Sequence, residues 1–279
     1  MLDPSSILEH VAPFMLVLFR LSGVLVFAPL LSSALVPARV RLLICIMFAV
    51  ALYPTLPAAM HRPPPMDIFA LGPAVVAEVL VGLAIGLMAA LPMFAVQLGG
   101  WIISAQGGLT VGMIYNPALD LEADIIGQAL LYVAMIIFIG LGGLEILFIT
   151  LAKTFASIPP GAVLGLPGVD GTGGMGGAGI AAIAPLELFT ALVASGFELG
   201  LRVSAPVLCI VLVETLVSAI VGKTMPQLNI MSIDYAVKLL LVFLTLIAAM
   251  ATIAQAIGDD YADTLGLMMR WAETLGTRP

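Results

Sequence analysis

Two acid–base pairs stand at the spacing that brings side chains together on one face of a helix. Glu198 precedes Arg202 and Asp234 precedes Lys238, each by four residues and each with the acid first. Such a pair inside an apolar run can neutralise itself, which makes burial between subunits tolerable, or it can pass a proton or ion along. A charge within a membrane-spanning segment costs roughly 2.5 to 3.5 kcal/mol on insertion scales, so each one needs a physical reason. Arg20, Glu78, Glu145, Glu187 and Glu214 have no partner at helical spacing, which predicts partners on other helices or other chains.

Other chemistry is thinly supplied. His10 and His61 lack a second ligand at metal-binding spacing, and Cys45 and Cys209 sit in apolar runs as small hydrophobes, so neither a metal, a cofactor nor a disulfide is expected. Gly171, Gly173 and Gly176 match a dinucleotide-binding spacing, but no strand precedes them in a window that is mostly glycine. Gly222-Lys223-Thr224 resembles the end of a phosphate-binding loop, yet Val217 occupies the position of its leading glycine. No nucleophile or metal-hydrolase motif emerges, and the reading is that of a non-enzyme.

The elements that must carry these charges are set by composition. Of 279 residues, 62% are hydrophobic and 10% charged, where a soluble domain carries about 25% charged residues. Mean hydropathy is +1.19. A water-soluble enzyme of this composition is excluded, because the chain has too little charge to cover its outside. With a net charge of −7 and ten basic residues, there is no footprint for a nucleic-acid backbone. Lipid is the expected surrounding.

Apolar runs long enough to span a bilayer extend from Val11 to Val36, from Leu42 to the prolines Pro54 and Pro57, from Ile68 to Pro92 and from Met93 to Tyr115. The cleanest spanning candidate runs from Ile125 to Ala152, and further stretches follow at Ile180–Leu201, Val203–Val221 and Leu228–Ile257. Backbone groups in lipid must be satisfied internally, so these runs predict an all-α, multi-helix integral membrane protein with proline-broken helical hairpins. Arg39 and Arg41 place the first turn inside and the N-terminus outside. The expected organisation is a helical membrane domain over 1–257 and a polar C-terminal tail over 258–279. Small residues four apart, Gly82 and Gly86, Gly108 and Gly112, Gly196 and Gly200, offer close helix contacts. Met113, Met225 and Met231 lie beside helix breakers, where flexible thioethers would suit a seal.

Arg20 and Ala28-Pro29, Val36-Pro37-Ala38-Arg39-Val40-Arg41, Pro54-Thr55-Leu56-Pro57, Gly82 and Gly86, and Gln106 through Pro117 recur in a known order. Gly127-Gln128, Phe138 to Gly143, Ile158-Pro159-Pro160-Gly161, Ala205-Pro206 and Met225-Pro226-Gln227-Leu228-Asn229-Ile230 continue it. Across nearly its whole length the chain resembles the FliR family of flagellar biosynthetic proteins and their injectisome relatives, membrane subunits of the type III secretion export gate. The resemblance implies a subunit of a helical assembly formed with FliP-like and FliQ-like proteins and serving FlhB-like and FlhA-like components. It implies a location in the bacterial inner membrane at the flagellar basal body, and unfolded proteins as cargo. It also implies a FliP-like front half over about 1–160, a Gly-rich linker over 161–179 and a FliQ-like back half over about 180–257. The structural motif residues would be Arg20, Pro37, Arg39, Arg41, Pro226, Gln227 and Asn229. Gln106, Gly107, Gly108, Gly112, Met113, Asn116 and Pro117 match a segment that helps plug the pore.

The chain departs from the family pattern at four places, one of them an unusually rich glycine linker from Gly165. Asn116-Pro117 stands where Asp-Pro is common, Gly143-Leu144-Glu145 replaces a Gly-His, and Asp234 and Lys238 follow the Pro-Gln motif. The wording of Ile158-Pro159-Pro160-Gly161 and Pro226-Gln227-Leu228-Asn229 favours a flagellar over an injectisome member. A small ion-coupled transporter using Glu145, Glu214 and the Asp234–Lys238 pair is the alternative of a different class.

Overall fold

The computed structural model describes residues 4–33, 36–56, 68–109, 124–157, 178–224 and 230–276. These residues form seven α-helices: α1 Pro4–Phe27, α2 Ala38–Leu52, α3 Ile68–Gln106, α4 Ile125–Gly140, α5 Gly143–Ser157, α6 Ala178–Thr224 and α7 Ile230–Gly276. A 3-10 turn, Tyr53–Thr55, follows α2, and no strand occurs among the described residues. The chain is an all-α membrane protein. Five helices are long and apolar enough to cross a bilayer, and the pair α4 and α5 passes the same test as a broken span.

Three sequence boundaries need correction. The runs expected to part at Pro92 form the single helix α3, 39 residues long, which ends at Gln106 rather than near Tyr115. Proline removes one N–H donor from an apolar helix, a loss that neighbouring helices and local adjustment absorb at membrane depth. The run Ile125–Ala152, expected to be one span, is instead broken at Leu141-Gly142. Leu141 N–H donates to the Ile137 carbonyl, and Gly142 adopts φ +70°, a left-handed conformation that favours glycine and ends α4. The stretches on either side of Arg202 join as α6, 47 residues long. The polar stretch from Gly258 continues α7 to Gly276. It exposes Asp259, Asp263 and Arg270 and buries Tyr261, Leu265 and Met268.

The chain divides into two compact units, one of Met1–Ala90, Gly142–Leu192 and Asp263–Pro279, the other of Leu91–Leu141 and Val193–Ala262. In the first, Leu16, Val17, Leu21 and Val24 make a helical stripe on α1, and Leu147, Leu151 and Phe155 make another on α5. Glycines let α1 and α3 touch backbone to backbone. A Cβ on Gly82 would overlap the Arg20 carbonyl, one on Gly86 the Val24 carbonyl, and one on Gly23 the Val79 carbonyl. Such contact supplies packing in lipid, where the hydrophobic effect between helices is absent.

In the second unit Leu130, Ala134 and Phe138 on α4 and Leu199, Val203 and Val207 on α6 repeat at four-residue intervals and are buried. A Cβ on Gly200 would stand 3.0 Å from the Ala95 carbonyl, and one on Gly100 would overlap Gly127 Cα. Gly82 and Gly86 therefore act as the spacing predicts, as does Gly200. Gly108 does not, because it lies beyond the end of α3 at φ +78°.

Candidate functional site

The segment matched to a pore plug begins where α3 stops. Gln106 is the last residue of α3 and is exposed. Gly107 N–H then donates to the Ile103 carbonyl at 2.8 Å, Gly108 N–H to Ala105 at 3.3 Å and Leu109 N–H to Ser104 at 3.1 Å. Together with the positive φ of Gly108, this is a helix stop that satisfies carbonyls the last turn would leave free. Gly112, Met113, Asn116 and Pro117 lie outside the described residues.

The chain is described again at Asp124, the N-cap of α4. Its carboxylate accepts the Gly127 N–H at 2.8 Å, as an aspartate cap does for an orphan donor of the first turn. The same oxygen, Oδ1, accepts the hydroxyl of Ser104 at 2.8 Å. Neither Asp124 nor Ser104 is singled out in the sequence analysis. An aspartate immediately before an apolar run is the signal of an N-cap, but nothing in the sequence pairs it with a serine 20 residues earlier.

Arg20, without a partner at helical spacing, finds one in the first unit. Its Nε–H donates to Glu78 Oε2, both side chains are fully buried, and the guanidinium lies 4.2 Å from the centre of the Phe155 ring. Among the motif residues of the first turn, Pro37 precedes α2 with φ −57°, and Arg39 is exposed. Arg41 donates from Nη2 to the Ser33 carbonyl at 2.7 Å and from Nε to Val36 at 3.1 Å, which ties the α1–α2 connection to α2. Pro226, Gln227 and Asn229 lie outside the described residues.

Both predicted ion pairs form in the second unit. Arg202 Nη2 meets Glu198 Oε1 at 3.0 Å on α6, with both side chains more than half exposed. Lys238 Nζ stands 3.6 Å from Asp234 Oδ2 and 3.5 Å from Glu214 Oε2, so the pair on α7 is a triad reaching α6. Ser218 donates to Glu214 Oε1 at 3.0 Å. Glu214, Ser218 and Asp234 form the polar part of the lining of a mostly apolar groove of about 630 Å³ between α6 and α7. The Glu214–Lys238 contact joins residues 24 apart and could not be read from helical spacing.

The motif resemblances to soluble enzymes resolve simply. Gly222-Lys223-Thr224 is the last turn of α6, with Thr224 Oγ1 donating back to Ile220 and Val221 carbonyls, so it cradles no phosphate. Gly171, Gly173 and Gly176 lie outside the described residues, as do Met113 and Met225, while Met231 falls in the first turn of α7. The buried polar groups found here cap helix ends, neutralise charge and hold helices in register.

Known proteins resemble the chain over nearly this whole extent. It is 26% identical over 279 residues to the flagellar biosynthetic protein FliR of Bacillus subtilis, covering 98% of this chain and 99% of the relative. It is 29% identical over 256 residues to FliR of Escherichia coli, covering 90% and 89%. The secretion system apparatus protein SsaT of Salmonella typhimurium is 27% identical over 174 residues, covering 62% and 61%. The family described as bacterial export proteins, family 1, matches residues 11–264, which include the helix stop at Gly108, the cap at Asp124 and both ion pairs. With its membrane-length helices in place and all but the ends of its sequence matched, the chain belongs to family 1 of the bacterial export proteins.

Proposed function

We propose that this protein is a core membrane subunit of the flagellar type III export gate, needed for flagellum assembly and for export of unfolded flagellar proteins. The observation that carries the reading is the match to FliR relatives over 98% and 90% of the chain, against 62% for SsaT, a secretion system apparatus protein. The role is structural: the subunit completes a closed helical channel with FliP-like and FliQ-like subunits in the bacterial inner membrane, beside FlhB-like and FlhA-like components. Its front half would be FliP-like and its back half, beyond the Gly-rich linker, FliQ-like. Gln106 to Pro117 would supply the plug. The helix stop at Gly107-Gly108 supports this, because it releases the chain from α3 without bulky side chains.

Exposed charge supports membership of an assembly. Glu198 and Arg202 face outward within a 36-residue apolar stretch of α6, a position that lipid tolerates poorly and a neighbouring subunit can cover. Of the residues that a transporter reading would use, Glu214, Asp234 and Lys238 already form a salt-bridged triad within the second unit.

Deleting the gene in its host, with motility and secreted filament protein as readouts, tests the reading. Loss of both, restored by the intact gene, is the expected result. Normal motility and secretion would overturn it in favour of an injectisome or transporter role.

A further inference from the structure

The open face between α6 and α7, wholly within the second unit, combines shape with charge. Its apolar lining runs along both helices, with Ile210, Val213, Val217 and Val221 on α6 and Ile233 and Val237 on α7. The α6 positions recur every three or four residues over about 16 Å, so the groove follows the helix axis. All six side chains are more than a third exposed. Glu214, Ser218 and Asp234 interrupt these aliphatic walls. Lys238, beside the lining, shares one ammonium between the two carboxylates at 3.5 and 3.6 Å, distances of an ion pair rather than of a hydrogen bond. Glu214 is compensated further, because Ser218 donates to its Oε1 and Thr215 to its Oε2. Asp234 is not. Its Oδ1 is buried and accepts no hydrogen bond from the described residues, while its side chain stays 27% exposed. Two carboxylates against one ammonium leave the groove one negative charge, and Asp234 holds the uncompensated part.

We infer that this groove receives one face of an apolar helix from another membrane subunit, and that the helix brings an arginine or lysine to Asp234. The inference deepens the export-gate reading by giving the chemistry of a neighbour, and rests on that reading only for there being one. The helical form of the occupant follows from the surroundings, since a segment in lipid must satisfy its own backbone while it lays side chains along the groove. A volume of about 630 Å³ holds a row of side chains rather than a whole helix, as when the ridge of one helix settles into the groove of another. Charge then selects among occupants. A lipid tail fits the aliphatic walls but offers Asp234 no donor, and a phosphate headgroup meets the residual negative charge. A basic side chain gives Asp234 a charge-assisted hydrogen bond where water is scarce, and its aliphatic stem lies along the valines. The neighbour benefits equally, because a cation on an apolar helix needs a counter-ion. Asp234 is one of the departures from the family pattern, so the contact is a property of this chain.

The test places the photo-crosslinker p-benzoyl-phenylalanine at Val217 of the full chain in its host and identifies the joined peptide by mass spectrometry. The expected product is an apolar membrane helix of another protein, with a Lys or Arg within one turn of the joined residue. D234N should lower the crosslink yield per chain in the membrane about tenfold, the ratio that losing one hydrogen bond to a charged group gives, and D234E should retain it. The same probe at Leu212, exposed on α6 but outside the groove, should give a yield indifferent to D234N. Should D234N fail to accumulate, the peptide joined in the chain that keeps Asp234 still decides. Products with lipid alone, with a second copy of this chain, or with a helix that has no basic residue near the joint would overturn the docking, as would a Val217 yield that ignores D234N. Normal motility and secretion in the deletion strain would overturn the export-gate reading and leave the crosslinked helix standing, so the two failures are distinguishable.

Discussion

Arg20 is the largest fully buried side chain among the described residues, and Glu78 and Phe155 lie against its charge. Glu78 accepts its Nε–H, and the face of Phe155 lies against the guanidinium. Removing one member of such a pair strands the other without water, which costs about 3–5 kcal/mol. R20A and E78A are therefore expected to deplete the subunit from membranes and to lower the melting temperature of the purified assembly. Replacing both at once by apolar residues of similar volume, R20M with E78L, should recover most of that loss, because the expense lies in an unpaired charge rather than in the missing attraction. Immunoblots of membrane fractions and thermal denaturation of the complex check this. A double variant as unstable as either single one would show that the pair contributes more than mutual neutralisation. The sequence told that Arg20 must find a partner off its own helix, since no acid stands within four residues of it. It could not tell that the partner is Glu78, 58 positions away, because that depends on how α1 and α3 cross.

At the scale of helices, glycine decides which contacts are possible and where spans break. G82A would drive a methyl group into the Arg20 carbonyl, with backbone on both sides and no flexible side chain to yield. Overpacking of this kind costs about 1–3 kcal/mol. G72A and G266A meet nothing within 4 Å and should be neutral or slightly stabilising. G142A is strained for a different reason, since φ +70° costs a residue with a Cβ about 1 kcal/mol whatever the space around it. Comparing the four variants by membrane abundance separates close approach from backbone conformation. If G82A were as abundant as G72A, the α1–α3 contact would be looser than its geometry indicates. The same residues mark the limits of sequence reading. Runs of apolar residues located every helix, because burial in lipid leaves no other way to satisfy the backbone. Their ends were less legible. Pro92 is a breaker in water and merely one missing donor inside α3, while Gly142, unremarkable in an apolar run, ends a helix because its φ is positive. The Ser104–Asp124 hydrogen bond is invisible in sequence for a different reason: the apolar run and α4 both start at Ile125, but nothing pairs its N-cap with a serine 20 residues earlier.

Considered whole, the molecule carries more apolar helix than a bilayer can cover. The apolar stretch of α6, 36 residues long, has a contour length of about 54 Å at 1.5 Å per residue, against a hydrocarbon core of about 30 Å, while the 41-residue stretch of α7 turns polar from Gly258. Only 17% of the residues in each stretch are buried within the chain. Ile210, Leu212, Val213, Leu216, Val217 and Ile220 on α6 are all exposed, as are Leu240, Leu244 and Ile247 on α7. Tilting shortens the mismatch but does not remove it, and the exposed Glu198–Arg202 pair argues against lipid over that part of α6. Whatever apolar length of these helices lies beyond the hydrocarbon must be covered by protein or collapse against copies of itself. Produced without its partners, the chain is therefore expected to aggregate on extraction into detergent or to be degraded. Co-production with the proposed FliP-like and FliQ-like partners of the same host should shift it into a single discrete species on size-exclusion chromatography. A lone chain that elutes as a stable monomer would show that the unpartnered faces of α6 and α7 need no neighbour. The case for an obligate assembly subunit, which rests on those faces as much as on family membership, would then lose its physical basis.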